Sequence, residues 1–266
     1  MSASPYEEFP PLTPAVAGQP DGAVRQIMRD ARVPGVTVGP WVPEKRSCVR
    51  ASGVAGKSSG TPMPTGLDMR VGGMTKTFTA TALLTPAGQG KVRPDDPIAK
   101  YVKGDPDGDR ITLREPAGML SGLFDYSVDP DFSKALTSDP QRPFTPPEAR
   151  SPTGATCGPG RGCRPPALCS ARPPGPSGCG RNPAVPDTGY DPGIFNAHGW
   201  TGHNGSLPGY EALVVRPPGP KATLVVLLNT DTDHRGSEPS TLFGEAVTRI
   251  VTPRHACSLP ARPAAK

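Results

Sequence analysis

An α+β fold, an antiparallel β-sheet flanked by helices, is what this sequence predicts, and three observations predict it. Five short strand candidates lie near 36–42, 48–54, 200–206, 210–216 and 222–229. Two of the connections between them read as hairpin turns, and amphipathic helices stand at both ends of the patterned part of the chain.

Taken in order, Asp21 reads as the N-cap of a helix over 22–32, with Val24, Ile27, Met28 and Ala31 on one face and Pro34-Gly35 as its stop. Val36 to Val42 and Cys48 to Val54 form a hairpin around Pro43-Glu-Lys-Arg. The stretch from Met69 passes through Gly72-Gly73 into a helix that turns Met74, Phe78, Ala82 and Leu83 toward a core. Pro86 is expected to cut that helix after about three turns, because its ring removes a donor and clashes with the preceding turn. A further helical stretch runs from Thr112 to Met119, with Pro116 inside it. Pattern returns at about Gly189. Three strands follow, Pro217-Pro-Gly-Pro marks the turn between the last two, and Thr223-Leu-Val-Val-Leu-Leu-Asn is apolar enough for a central strand. The helix Pro239 to Val251, with Leu242, Phe243, Ala246, Val247 and Ile250 on one side, closes the fold.

Composition separates these parts from the rest. Only 35% of the 266 residues are hydrophobic and 5% aromatic, whereas 38 Pro and 32 Gly approach the range of low-complexity chains. The excess concentrates between Arg150 and Pro183, where 34 residues hold eight Pro, seven Gly, five Arg and four Cys, and Leu168 is the one large apolar side chain. Such a segment forms no core. A natural disordered linker and a shifted reading frame of a GC-rich gene both produce this composition. The expected organisation is a disordered leader over 1–20, the first part of a domain over 21–148, a disordered segment over 149–186, the second part of the domain over 187–252 and a disordered tail over 253–266.

The same segment carries the charge. Its five arginines, with no acidic residue or lysine, equal the net charge of +5, so the rest of the chain sums to zero and no general basic face points to a nucleic acid. No run approaches the roughly 18 apolar residues of a membrane span, and the start, Met1-Ser-Ala-Ser-Pro-Tyr-Glu-Glu, lacks the pattern of a secretory signal, which leaves localisation open. The six cysteines, Cys48, Cys157, Cys163, Cys169, Cys179 and Cys257, include no Cys-x2–4-Cys knuckle, and no His lies among the clustered four, so the spacing implies no metal. Nor is Gly72-Gly73 a phosphate loop, since the Gly-x4-Gly-Lys-Ser/Thr spacing is missing. No cofactor is expected.

The chemistry-bearing stretches are Arg70-Val-Gly-Gly-Met-Thr-Lys-Thr-Phe-Thr-Ala, Asp109-Arg-Ile-Thr-Leu-Arg, Ser121-Gly-Leu-Phe-Asp-Tyr and Gly199-Trp-Thr-Gly-His-Asn-Gly-Ser-Leu-Pro-Gly-Tyr. Over roughly 20–148 and 187–252 the chain resembles the penicillin-recognising serine hydrolases, in the branch of class C β-lactamases, D-alanyl-D-alanine carboxypeptidases and related esterases. The resemblance implies an αβα sandwich and acyl transfer by three motifs: Ser-x-x-Lys at a helix start, Tyr-x-Asn on a loop, and Lys/His-x-Gly on a strand. It also fixes the strand order, which periodicity does not, with the terminal helices on one sheet face and the lysine's helix on the other. A spacing of three puts nucleophile and lysine on one helical face, and the helix start with a strand N–H stabilises an oxyanion.

In that resemblance Lys76 takes the place of the family lysine, and His203-Asn204-Gly205 that of the His-x-Gly motif. Gly205 is small enough for close backbone approach, and Ser206 offers its N–H. Gly73 stands where the serine belongs, and glycine has no side-chain oxygen with which to attack a carbonyl. Thr77, a full turn further on, is expected to be structural. His198, His234 and His255 read as surface residues. No Tyr-x-Asn exists: Tyr126-Ser127-Val128 and Tyr190-Asp191-Pro192 both fail at the third position. The interval from Gly73 to His203 is shorter than the family norm, which implies a truncated helical cleft wall, marginal stability and a tendency to aggregate.

The function expected from these features is that of a degenerate, catalytically inactive member acting as a monomer, its ligand, if any, a peptidoglycan-like acyl amide. Two alternatives stay open: reversible binding of such ligands without turnover, and an active hydrolase whose true sequence has serine at 73 and a Tyr-x-Asn loop downstream.

Overall fold

The computed structural model describes residues 20–41, 48–105, 107–139, 142–144, 188–217, 222–253 and 256–259. The leader up to residue 19, the Pro43-Glu-Lys-Arg turn, the 149–186 segment with its four cysteines, residues 218–220 of the Pro217-Pro-Gly-Pro turn, His255 and the chain after 259 lie outside the described residues.

The chain divides into two compact units, Met1–Thr79 with Arg172–Lys266, and Ala80–Ala171. The first holds a seven-stranded antiparallel sheet. Its elements are helix α1 (Pro20–Asp30), strands β1 (Gly35–Trp41) and β2 (Arg50–Gly53), the first residues of α2 (Thr75–Gly88), strands β3 (Thr188–Asp191), β4 (Ile194–Ala197), β5 (Trp200–Leu207), β6 (Tyr210–Arg216) and β7 (Thr223–Leu228), and helix α5 (Pro239–Val251). The strand order is β2-β1-β7-β6-β5-β4-β3. The α+β expectation holds, with seven strands in place of five. The two additional ones, β3 and β4, extend the sheet beyond β5 through the pairs Asp191↔Ile194 and Ala197↔Trp200.

The core lies between the sheet and the two terminal helices. Val36, Val38, Leu213, Val215, Leu224, Val226 and Leu228 from the strands meet Val24 of α1, Ala31 just after it, and Phe243 and Val247 of α5, all buried. Helix α1 starts at Pro20 rather than after Asp21, so the expected leader is one residue too long and Asp21 sits in the first turn, paired with Arg50 at 3.0 Å. Helix α5 keeps its expected bounds, with a buried stripe that includes Ser240, Gly244, Thr248 and Val251 and leaves Leu242, Ala246 and Ile250 half-buried. Gly244 lies so close to Leu213 that a Cβ there would overlap that side chain. The tail is drawn in after α5: Cys257 is 2% exposed, its amide donates to Thr248 Oγ1 (2.8 Å), and Leu259 packs against the core.

Two expectations about α2 need correction. The helix runs two residues past Pro86, because a proline three residues from the C-terminus forfeits a single backbone bond, and the amides of Gln89, Gly90 and Lys91 close the end on the carbonyls of Thr85, Ala87 and Pro86. Nor does its expected apolar face point to a core. Phe78 is 70% exposed and Ala82 is exposed, while Ala80 is buried. Apolar residues are spread around this helix, so their spacing selects no face.

The second unit holds the rest of α2, the short helix α3 (Arg114–Ala117) and helix α4 (Pro130–Ser138). The helix expected over 112–119 contracts to α3, a single turn with Pro116 in it, tied off by Glu115 accepting from the Thr112 amide (2.7 Å) and hydroxyl (2.9 Å). Asp129 caps α4 by accepting from the amides of Asp131 and Phe132.

Candidate active site

The expected site residues come together where the chain turns into α2. Gly72–Met74 form one 3-10 turn, and Thr75 begins the α-helix. That turn lies against β5. Gly72 has φ +53, and a Cβ on it would sit 2.9 Å from the Ser206 amide nitrogen; a Cβ on Gly205 would overlap the Val71 carbonyl oxygen and reach within 2.6 Å of the Gly73 nitrogen. Glycine at both positions is what lets two stretches of backbone meet this closely.

Gly73 is the hub of the arrangement. The point where its Cβ would stand is 3.4 Å from Lys76 Nζ, 3.4 Å from His203 Cε1 and 2.9 Å from the Asn204 carbonyl oxygen. Lys76, His203 and Asn204 therefore surround the position where the resemblance expects a nucleophile, and Ser206, exposed, follows on the same strand. Lys76 is exposed in the first turn of the helix.

His203 is 8% exposed. Its Nδ1 lies 2.5 Å from the Asn204 carbonyl oxygen, and its Nε2 lies 2.9 Å from the hydroxyl of Tyr190 on β3. Burial holds the imidazole below its usual pKa; the Asn204 carbonyl pulls the other way, and the nearby Lys76 charge adds to the lowering. The Tyr190 ring meets the imidazole edge-on, with centroids 5.7 Å apart. On the other side of the motif, Asn204 Nδ2 donates to Glu238 Oε2 (2.6 Å). Glu238 is the N-cap residue of α5, yet its side chain makes no cap bond and turns to Asn204 instead.

Thr77 donates from Oγ1 to the Gly193 carbonyl (2.5 Å), which ties α2 to the β3–β4 turn. His198 has φ 53 and, with Gly199 at φ 89, forms the two-residue turn between β4 and β5. Tyr126 begins a 3-10 turn in the second unit.

Sequence reasoning passed over Tyr190 and Glu238. In the sequence Tyr190 reads as the start of an incomplete Tyr-x-Asn motif, not as a strand residue. Its proximity to His203 follows from the β3-β4-β5 register, Tyr190↔Phe195 and Phe195↔Gly202, and no local pattern encodes it. Among the described residues no group of three or more His, Cys, Asp or Glu side chains is placed to hold a metal ion, and no helix is long and apolar enough to cross a membrane.

Comparison with known proteins gives the arrangement its context. The Beta-lactamase family model matches residues 21–164. Among solved structures, a D-stereospecific amidohydrolase from Streptomyces sp. superposes with a TM-score of 0.60 at 19% identity, over 90% of this chain and 98% of that one. A D-amino acid amidase from Ochrobactrum anthropi SV3 gives 0.56 at 15% identity over 89% and 96%, and an octameric penicillin-binding protein homologue from Pyrococcus abyssi gives 0.59 at 16% over 90% and 79%. At these identities the likeness carries the fold. With more than half of its length matched by the family model and this fold around its site, the chain belongs to the β-lactamase family of serine hydrolase folds.

Proposed function

We infer that this chain is a member of the family that has lost acylation. The observation that carries the reading is Gly73: the position beside Lys76 Nζ has no oxygen, so no acyl-enzyme can form there. The absence of a Tyr-x-Asn motif removes a second catalytic element. Thr77 does not compensate, since its hydroxyl donates to a backbone carbonyl one turn further along.

The test is turnover of a chromogenic β-lactam and of a D-amino acid amide by the purified chain. Rates at the buffer background support the reading, and rapid hydrolysis of either overturns it. Gly73→Ser alone restores far less than full activity, because the tyrosine is still missing. The substitution is also tight, for a Cβ at 2.9 Å from the Asn204 oxygen displaces that backbone by a few tenths of an ångström.

A second reading rests on what is kept. Lys76, His203 and Asn204 still surround the gap, with Ser206 further along the same strand, which supports reversible binding of a peptidoglycan-like acyl amide by a monomer. Titration calorimetry with a D-alanyl-D-alanine peptide separates the two: saturable heat favours a binding protein, and its absence favours a relic. Light scattering checks the monomer. A corrected coding sequence with serine at codon 73 and a Tyr-x-Asn loop downstream would return the chain to the active hydrolases.

A further inference from the structure

His203 is the residue that sequence reasoning assigned a catalytic part, and its surroundings give it a different one. A carbonyl oxygen only accepts, so the 2.5 Å separation of Nδ1 from the Asn204 oxygen places a proton on Nδ1. The ring is buried, and the positive charge of Lys76 acts on it. Both features favour the neutral imidazole, whose Nε2 then carries a lone pair. The group 2.9 Å from that lone pair is the Tyr190 hydroxyl, which is therefore the donor. The atom that His203 turns toward the Gly73 position is Cε1, not a nitrogen.

We propose that Tyr190 is the positioning residue of this site: its O–H occupies Nε2 of His203, and together with the Nδ1–H bond to Asn204 it fixes one neutral tautomer whose carbon edge lines the gap. Both ring nitrogens are committed within the protein, so His203 neither accepts a proton from a group at position 73 nor gives one to a ligand there. Lys76 Nζ, also 3.4 Å from that point, is left as the proton-handling group facing it. Among the described residues, the charged and titratable groups that act on the ring or on its motif are Lys76 from α2, Tyr190 from β3 and, through Asn204, Glu238 at the head of α5.

The assignment concerns a tautomer rather than turnover, so it stands or falls separately from the loss of acylation. The experiment is long-range proton–nitrogen NMR on the uniformly labelled full chain, with the His203 signals identified by their loss in His203→Gln. The expected result is a protonated Nδ1 and an unprotonated Nε2 displaced by an accepted hydrogen bond, with the ring staying neutral as pH falls through the ordinary imidazole range near about 6.5. In Tyr190→Phe, which keeps the ring packing, the displacement of Nε2 is lost while Nδ1 keeps its proton. A proton on Nε2 in the unaltered chain, a ring that becomes cationic at the ordinary pH, or an Nε2 signal indifferent to Tyr190→Phe each overturns the proposal. The signals of the unaltered chain decide the tautomer even if the variant fails to fold.

Discussion

Glu211→Gln is the perturbation with the clearest thermodynamic signature. Glu211 is 1% exposed on β6, opposite Ser206 of β5 and Leu228 of β7. One carboxyl oxygen accepts the Ser240 amide at the start of α5 (2.8 Å), and the other has no hydrogen-bond partner among the described residues. Burial pushes its pKa up from 4.5 to about 7; the Ser240 amide opposes this, and the charges of Glu238 and Asp233 add to it. The folded chain thus holds a proton that the unfolded chain has already released. This contribution to stability is fully present below about pH 4.5 and is lost as pH rises through about 7. At about 1.4 kcal/mol per unit, the loss amounts to about 3 kcal/mol. Glutamine has no proton to lose, so the variant gains over the parent as pH rises, by about 1–3 kcal/mol above pH 7 once the amide's own need for partners is discounted. Near pH 4 the two are close to equal. Urea unfolding followed by circular dichroism at a series of pH values measures this difference, with a shared m-value as the control. Parallel stability–pH curves for the two proteins, or a gap that opens toward low pH, would refute the argument.

Three further outcomes follow from single contacts. Gly205→Ala drives a methyl group into the Val71 carbonyl and should cost about 2–4 kcal/mol, read as a lowered thermal midpoint; an unchanged midpoint would mean that the turn at 72–74 does not pack on β5. Asn229 donates to the carbonyls of Val54 (2.8 Å) and Ala55 (3.0 Å), so Asn229→Ala leaves two acceptors without their donor and should lose about 1–3 kcal/mol in the same assay. Burial pushes the Cys257 thiol up to about 12, so alkylation mapped by mass spectrometry should leave Cys257 unmodified in the native chain and label it only on unfolding, whereas equal labelling in both states would contradict its packing under α5.

What could be read from the sequence was set by local rules. Helix α5 keeps its expected bounds because a proline at its first position and a regular apolar stripe are both local signals. Strands β1, β6 and β7 are legible as runs of apolar and β-branched residues, and β5 through the His203-Asn204-Gly205 motif it carries. Strands β3 and β4 are not, since each is four residues long and includes Gly or Asn, too short for alternation to register. The face of α2 was misjudged for the opposite reason, an excess of apolar residues on all sides. At the site, Lys76 and the His203-Asn204-Gly205 run were legible as motifs. Tyr190, Glu238 and Glu211 were not, because each acquires its partner from an element distant in sequence: a polar residue in a strand looks solvent-facing until a helix start is known to lie over it.

The packing also explains why the site keeps its shape without its nucleophile. The turn at 72–74 is held against β5 by the close approach of Gly72 to Ser206 and of Gly205 to Val71, contacts that involve backbone and no hydroxyl. Lys76 follows that turn into α2, and Asn204 is held by Glu238 from the head of α5. None of these restraints depends on the residue at 73, whose side chain would point into the gap between Lys76, His203 and Asn204 rather than into the core. On the proposed reading, glycine at 73 removes the attacking oxygen and leaves the fold unstrained, whereas an added methyl at 205 strains the fold at the Val71 carbonyl. Motif geometry in this region therefore reports on packing. On the proposed reading, acylation turns on the side chain at position 73 and on a Tyr-x-Asn motif that the sequence lacks.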